Sequence, residues 1–249
     1  MASMSTAVSS STPTAFFDIA SFPWLLTLQA HLAAMQEEAA AIIARYRYLR
    51  WRFPEIYTSD PRGVVGQRAT FYLEIHGMGV RRNQSLCPRT SAALSALPLR
   101  VTGGFYLLEA RSHILPHRGA TSQLLRAHMG LICPSGCHLR VGDARREWSE
   151  GGIIVFDDSL EHEARNDSDE MRAILMIDFL RDEADLPRRR EIATALSQRL
   201  LGPRDHAWLH AAGLDCDAAL TEAMTRAPIP QATLDFCREV VAENGLIFP

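Results

Sequence analysis

Two of the nine histidines in this chain, His117 and His162, have neighbours that suit metal binding. His117 precedes Arg118-Gly119, which predicts a turn at the mouth of a sheet. His162 follows an acidic segment that begins at Asp157, just after an apolar strand. Imidazole nitrogen is a common ligand of iron. The two histidines, far apart in sequence on a strand-rich chain, therefore predict a pair of iron ligands.

The carboxylate that usually completes such an iron site is missing from its expected position. Non-haem iron is commonly bound by two histidines and one carboxylate on one face, and the carboxylate normally lies two residues after the first histidine. Gly119 occupies that position and has no ligand to offer. Acidic residues near His162 could substitute for it, lie behind the ligands or face solvent: Asp157, Asp158, Glu161 and Glu163. The spacing leaves these alternatives open.

Two arginines and a third histidine are placed to bind an anion. Arg126 and His128 lie two residues apart on a predicted strand, so their side chains share one face. On a buried face they need an anion or another acceptor, whereas on a half-exposed strand they are ordinary surface residues. Arg172 begins a strongly apolar strand and is suited to bind a carboxylate through two nitrogens. This pattern predicts an organic acid beside the iron.

The composition excludes several classes of protein. All 26 basic residues are arginines, so no lysine is available for a Schiff base with pyridoxal phosphate or an aldolase substrate. The 29 acidic residues nearly balance them, which argues against a partner that is a nucleic-acid polymer but not against a single nucleotide. No apolar run approaches the roughly 20 residues that span a bilayer. These features predict no membrane partner and a cytoplasmic location.

The five cysteines are odd in number and scattered, so a disulfide framework is not expected. Cys133 and Cys137 form a lone C-x3-C pattern, for which small buried side chains are a better explanation than a zinc site.

The order of predicted elements indicates a mainly β protein with flanking helices. Residues 1–14 are rich in Ser, Thr and Ala and predict a disordered leader, which a helical segment to about Arg47 follows. Short strands separated by turns within residues 101–180 predict an antiparallel sandwich or barrel. The predicted strands are 104–108, 122–133, 138–141, 152–156 and 171–179. Residues 183–249 are predicted to form a helical extension packed on the core, with helices after Pro187, after Asp215 and over 231–244.

The central part of the chain resembles the aspartyl/asparaginyl β-hydroxylase family. The resemblance covers roughly residues 22–182. It depends on a linked set of motifs in matching order and spacing: His117-Arg118-Gly119, Leu125-Arg126-Ala127-His128-Met129-Gly130-Leu131, Cys137-His138-Leu139-Arg140, Trp148-Ser149-Glu150-Gly151, Phe156-Asp157-Asp158-Ser159, His162-Glu163 and Arg172.

The resemblance implies a double-stranded β-helix, of the jelly-roll or cupin-like type, that binds Fe(II) and 2-oxoglutarate and reacts with O2. His117 and His162 would bind the metal. Family members with aspartyl hydroxylase activity carry glycine at the position of Gly119, and water completes the iron coordination. Arg172 would bind the distal carboxylate of 2-oxoglutarate and His128 its iron-proximal end. Arg126 would face the substrate and bind a carboxylate or another anion.

The chain departs from the family pattern at two positions. Leu124 stands where aspartyl hydroxylases have a second substrate-binding arginine, which weakens the case for an aspartate substrate. Tyr106 stands where they have a serine that assists the cosubstrate carboxylate. A tyrosine hydroxyl can also donate a hydrogen bond, so cosubstrate binding is still expected with Tyr106 in that role.

Three functions fit the sequence. The first is hydroxylation of a small anionic or amino-acid-like molecule, or of a tethered residue. The second is chlorination, because iron/2-oxoglutarate halogenases have Gly or Ala where the carboxylate would be, so that chloride binds iron; a nucleotide metabolite would be one possible substrate. The third is a binding protein that has lost its metal. The joint presence of His117, His128, His162 and Arg172 makes the third the least favoured.

Overall fold

The structure is a computed structural model that describes residues 14–52, 64–201, 211, 214–215 and 231–244. The strands are β1 Phe16–Phe17, β2 Val64–Val65, β3 Arg68–Ile75, β4 Met78–Val80, β5 Arg100–Leu108, β6 Ser112–His117, β7 Leu124–Ile132, β8 Cys137–Val141, β9 Ala144–Glu147, β10 Ile153–Phe156, β11 His162–Asn166, β12 Arg172–Leu180 and β13 Leu214–Asp215. The α-helices are α1 Leu32–Arg52, α2 Arg81–Leu86, α3 Pro88–Ser95, α4 Arg189–Leu200 and α5 Gln231–Asn244.

Two antiparallel sheets form the core. The large sheet has the order β1-β10-β7-β12-β5-β3-β4-β13, and the small sheet has the order β2-β6-β11-β8-β9. From β5 to β12 the chain alternates between the sheets: β5, β7, β10 and β12 belong to the large sheet, and β6, the pair β8 and β9, and β11 belong to the small sheet. Such alternation is the topology of a double-stranded β-helix, so the predicted fold class is confirmed.

The central strand β12 shows how the two apolar layers form. All nine of its residues are buried, because alternate side chains pack on opposite faces of a sheet that is covered on both sides. Ala173, Leu175 and Ile177 belong to the layer between the large sheet and the helices. Ile174 and Met176 belong to the layer between the two sheets. By the same alternation, Arg172 and Asp178 point between the sheets.

The flanking helices agree only partly with the predictions. The predicted N-terminal helical segment is confirmed from Leu32, where α1 begins, whereas its first part, Pro23–His31, forms a 3-10 helix. The predicted helix over 231–244 is confirmed as α5, and its Cys237 and Val241 are buried in the layer beneath the large sheet. Asp215 lies in β13, and the helix predicted after it lies outside the described residues, as does nearly all of the predicted leader.

The domain boundaries proposed at residues 14 and 182 stay predictions. Within the described part of the chain, no helix is both long enough and apolar enough to cross a membrane.

Candidate active site

A cavity of about 140 Å³ lies between the two sheets. Its walls are apolar on several sides, and titratable side chains from both sheets project into it. The lining residues are Val64, Arg68, Tyr106, Ile114, His117, Arg126, His128, Leu139, His162, Ala164, Arg172, Ile174 and Met176. The fold thus brings six of the seven residues chosen from the sequence to one cavity, and Gly119 lies two residues beyond His117.

His117 and His162 lie side by side on neighbouring strands of the small sheet. Antiparallel pairing of β6 and β11 sets the two residues opposite one another, and their ring centroids are 4.2 Å apart. Each Nδ1 bonds the carbonyl oxygen two residues earlier, at 2.8 Å to Leu115 and 2.9 Å to Leu160. Since a carbonyl only accepts, Nδ1 carries the proton and Nε2 keeps its lone pair.

The surroundings of His117 and His162 also favour the neutral form of each imidazole. Burial lowers the pKa of His117, and it lowers the pKa of His162 to about 3. Two neutral imidazoles with free Nε2 lone pairs are a fitting donor set for Fe(II).

Asp158 fills the space beside Gly119. The Gly119 N–H donates to the Asp158 carbonyl at 2.7 Å, and a Cβ atom on Gly119 would overlap the Asp158 carboxylate. Burial raises the pKa of Asp158 to about 6, and the nearby Asp178 and Asp157 carboxylates add to this rise while Arg126 opposes it. Among the described residues, no three His, Cys, Asp or Glu side chains form a metal-binding group. Asp158 therefore lies against Gly119 without forming such a group with the two histidines.

The other acidic residues near His162 are held away from it. Asp157 forms an ion pair with Arg181. Glu163 bonds His113 at 2.6 Å and Arg140 at 2.5 Å. Glu161 accepts from Arg140 at 3.2 Å. Of the four alternatives left open by the sequence, only Asp158 lies against Gly119.

Arg172 is a buried cation with unused donors. Its side chain is only 2% exposed and its Cζ lies 4.7 Å from the Trp148 ring centroid. Within the described structure, Nε and Nη1 have no hydrogen-bond partner. Burial lowers the pKa of Arg172 to about 10. A guanidinium with this degree of desolvation is costly without an anion, so its place in the cavity fits a carboxylate ligand.

His128 is the second cavity residue with an unsatisfied polar atom. Its Nδ1 is buried and has no hydrogen-bond partner among the described residues, and its ring lies edge-to-face on Phe156 at 4.9 Å. Burial holds its pKa well below the usual range, with Arg126 and Arg172 contributing. A neutral His128 can donate one hydrogen bond into the cavity.

Arg126, in contrast, is already paired within the chain. Its Nε donates to Asp178 Oδ1 at 2.6 Å and its Nη2 to Asp178 Oδ2 at 3.0 Å. Nη2 also lies 3.2 Å from Asp158 Oδ2. Asp178 was not among the predicted site residues, although an acidic residue in the apolar β12, on the face of Arg172, is a usable signal.

Tyr106 lies on β5 with its hydroxyl 2.9 Å from that of Tyr72 on β3. Burial raises the pKa of Tyr106 well above its usual range, so the hydroxyl stays neutral. Arg68 on β3 also lines the cavity. It was not among the predicted site residues, because β3 precedes the motifs on which the family resemblance depends.

Gly119→Ala is expected to destabilise the protein by about 1–3 kcal/mol, because the new methyl group overlaps the Asp158 carboxylate. Chemical unfolding of the variant measures this. In the double variant Gly119→Ala/Asp158→Ala the loss should be smaller than the sum of the single losses. Additive losses would show that the two residues are not in contact.

The part of the chain that contains the cavity residues is similar to known proteins. Residues 29–182 match the family model described as Aspartyl/Asparaginyl beta-hydroxylase. An ornithine lipid ester-linked acyl 2-hydroxylase of Rhizobium tropici is 33% identical over 169 residues, which are 66% of this chain and 60% of that protein. The human aspartyl/asparaginyl beta-hydroxylase is 34% identical over 122 residues, which are 45% of this chain and 16% of that protein.

The chain therefore spans less than two thirds of the length of each of these relatives. Among solved structures, a Cupin 2 conserved barrel domain protein from Salinispora arenicola is similar over 36% of this chain and 71% of its own, with 16% identity and a TM-score of 0.28.

Proposed function

Because this chain belongs to the aspartyl/asparaginyl β-hydroxylase family, we propose that it is an Fe(II)/2-oxoglutarate-dependent oxygenase. The proposed reaction is hydroxylation of an unactivated C–H bond in a small anionic or amino-acid-like metabolite, or in a tethered residue. The names of the two relatives, which contain ornithine in one case and aspartyl and asparaginyl residues in the other, support a substrate with an amino-acid part.

The unsatisfied Arg172 is the observation that carries the proposal. Its buried Nε and Nη1 have no partner among the described residues, in a cavity that also contains the histidine pair. One carboxylate would satisfy both donors. A dicarboxylate that reaches from Arg172 toward the histidines is therefore the ligand that this end of the cavity supports best, and 2-oxoglutarate has this form.

His117 and His162 would hold the iron through Nε2, with each ring oriented by its Nδ1 hydrogen bond to the backbone. Iron together with 2-oxoglutarate and O2 supplies the oxidising power for hydroxylation, with conversion of the cosubstrate to succinate and carbon dioxide. Gly119 contributes no ligand to the metal.

Other residues would position the two organic ligands. His128 would donate to the metal-proximal carboxylate, and Tyr106 would assist the distal one. Arg126 would contact the substrate, with Ile174 and Met176 providing an apolar wall that excludes water.

The proposal predicts turnover of 2-oxoglutarate by the full chain. We expect incubation with Fe(II), 2-oxoglutarate, ¹⁸O₂ and a metabolite extract to give succinate and one product that is heavier by a single ¹⁸O atom. Mass spectrometry measures both. The control is the same extract with enzyme but without 2-oxoglutarate. Succinate formation no faster than in a reaction without enzyme would contradict the proposal.

Chlorination is the alternative, and Asp158 makes it less favourable. Chloride bound beside Gly119 would approach the Asp158 carboxylate, and two anions at such a distance repel each other unless the carboxyl is protonated. Repeating the incubation with chloride distinguishes the reactions, since chlorination requires a product with the chlorine isotope pattern. The cytoplasmic location and the exclusion of nucleic-acid polymers and membranes as partners stay predictions.

A further inference from the structure

The ion pair between Arg126 and Asp178 lies inside the protein at the edge of the cavity. Asp178 is 8% exposed as a residue, and it pairs with Arg126 directly across β12 and β7. Two parallel hydrogen bonds fix the plane of a guanidinium far better than one. Asp178 therefore determines where the Arg126 side chain points.

The remaining nitrogen of Arg126 is available for another ligand. Asp178 takes Nε and one N–H of Nη2, while Asp158 lies near Nη2. The contacts of Arg126 with described residues use Nε and Nη2 and leave Nη1 out, and Nη1 is not one of the fully buried unsatisfied atoms. Since the side chain lines the cavity, Nη1 is the Arg126 donor that a substrate can reach.

Asp158 is a competitor for the same guanidinium. Its Oδ2 lies only 3.2 Å from Nη2, on the side of Gly119. If Asp178 lost its charge, the two-nitrogen edge of Arg126 would turn to Asp158, because a buried cation takes the nearest carboxylate. That rotation would move Nη1 away from its place in the cavity.

We propose that Asp178 is the positioning residue of the substrate site, which holds Arg126 so that Nη1 meets an anionic group of the substrate. This inference rests on the proposed function for its biological meaning. The placement of Arg126 itself does not depend on iron or 2-oxoglutarate.

Nitrogen NMR of the full chain, labelled with ¹⁵N-arginine, tests the placement. In the native protein, the Nε–H of Arg126 should exchange with water at least about tenfold more slowly than that of the exposed Arg118, because Asp178 accepts its hydrogen bond. Asp178→Asn should remove most of this protection. Equal exchange for Arg126 and Arg118 in the native protein would overturn the inference without any variant.

Asp169→Asn is the matched control. Asp169 binds Arg111 through the same two-nitrogen geometry, at 2.8 and 2.9 Å, but on the surface. The control variant should leave Arg126 protection at the native level. Loss of that protection in both variants would show a general loosening of the fold, and it would contradict a specific role for Asp178.

Inorganic phosphate is the anion probe, with Zn(II) as a diamagnetic replacement for iron and with 2-oxoglutarate present to cover Arg172. Phosphate should shift the Arg126 Nη resonances, and Asp178→Asn should raise the half-saturating concentration by about tenfold, the loss of one charge-assisted hydrogen bond. No shift in the native protein, or equal or tighter phosphate binding by Asp178→Asn, would overturn the inference. Failure of the proposed function would be seen in a different experiment, the turnover assay, in which the native enzyme would form no succinate.

Discussion

Arg172→Met is expected to raise the 2-oxoglutarate concentration for half-maximal turnover by at least about 100-fold, because removing one partner of a buried charge pair costs about 2–5 kcal/mol. Among the described residues, Arg172 supplies two fully buried guanidinium donors without a hydrogen-bond partner, and its Cζ lies 4.7 Å from the Trp148 ring centroid. The variant removes both donors. Initial rates of succinate formation over a range of 2-oxoglutarate concentrations measure the change. Arg165→Met, on the exposed side of β11, is the control and should behave as the native enzyme.

Without ligand, Arg172→Met should make the folded protein more stable. Burial lowers the pKa of Arg172 to about 10, which corresponds to a folding cost on the order of 3 kcal/mol for the charged side chain near neutral pH. Arg172→Met should therefore raise the melting temperature without ligand and lose the stabilisation that 2-oxoglutarate gives the native protein. A variant that still gains stability from 2-oxoglutarate would contradict our assignment.

His117→Ala is expected to reduce turnover by at least about 100-fold, which exceeds the 10–100-fold cost usual for residues that only orient metal ligands. With His117 removed, one of the two proposed imidazole ligands, His162, is left. Iron content after dialysis and the rate of succinate formation measure the loss. His113→Gln is the matched control, because His113 lies on the same strand but bonds Glu163 instead of entering the cavity. If His117→Ala retained the native iron content, His117 would not be a metal ligand.

The large sheet could be predicted from the sequence because its strands are buried on both faces. β5, β7, β10 and β12 are almost continuously apolar, and the predicted segments overlap all four. In the small sheet, β6, β9 and β11 were not predicted as strands. They carry polar and exposed residues, and β9 is exposed throughout. Their pairing depends on contacts between strands, which no local pattern records.

The residues of the candidate site could be predicted from their side-chain types, but the acidic partners of these residues could not. Arg172 and the histidines could be chosen because such residues are unusual next to apolar strands. The pairing of Arg126 with Asp178 depends on the register between β7 and β12, which the sequence does not specify. The contact of Asp158 with Gly119 joins two loops distant in sequence. Position 119 itself has no carboxylate, but the Asp158 carboxylate occupies the space beside it.

Anaerobic titration of the native protein with Fe(II) and 2-oxoglutarate tests the central claim most directly. If His117 and His162 bind the metal while Arg172 holds the far carboxylate, a weak visible charge-transfer band of the chelate should develop and saturate at one equivalent of each. His117→Ala and Arg172→Met should each greatly diminish the band, and His113→Gln should retain it. Absence of the band in the native protein, or its full intensity in both site variants, would contradict the account.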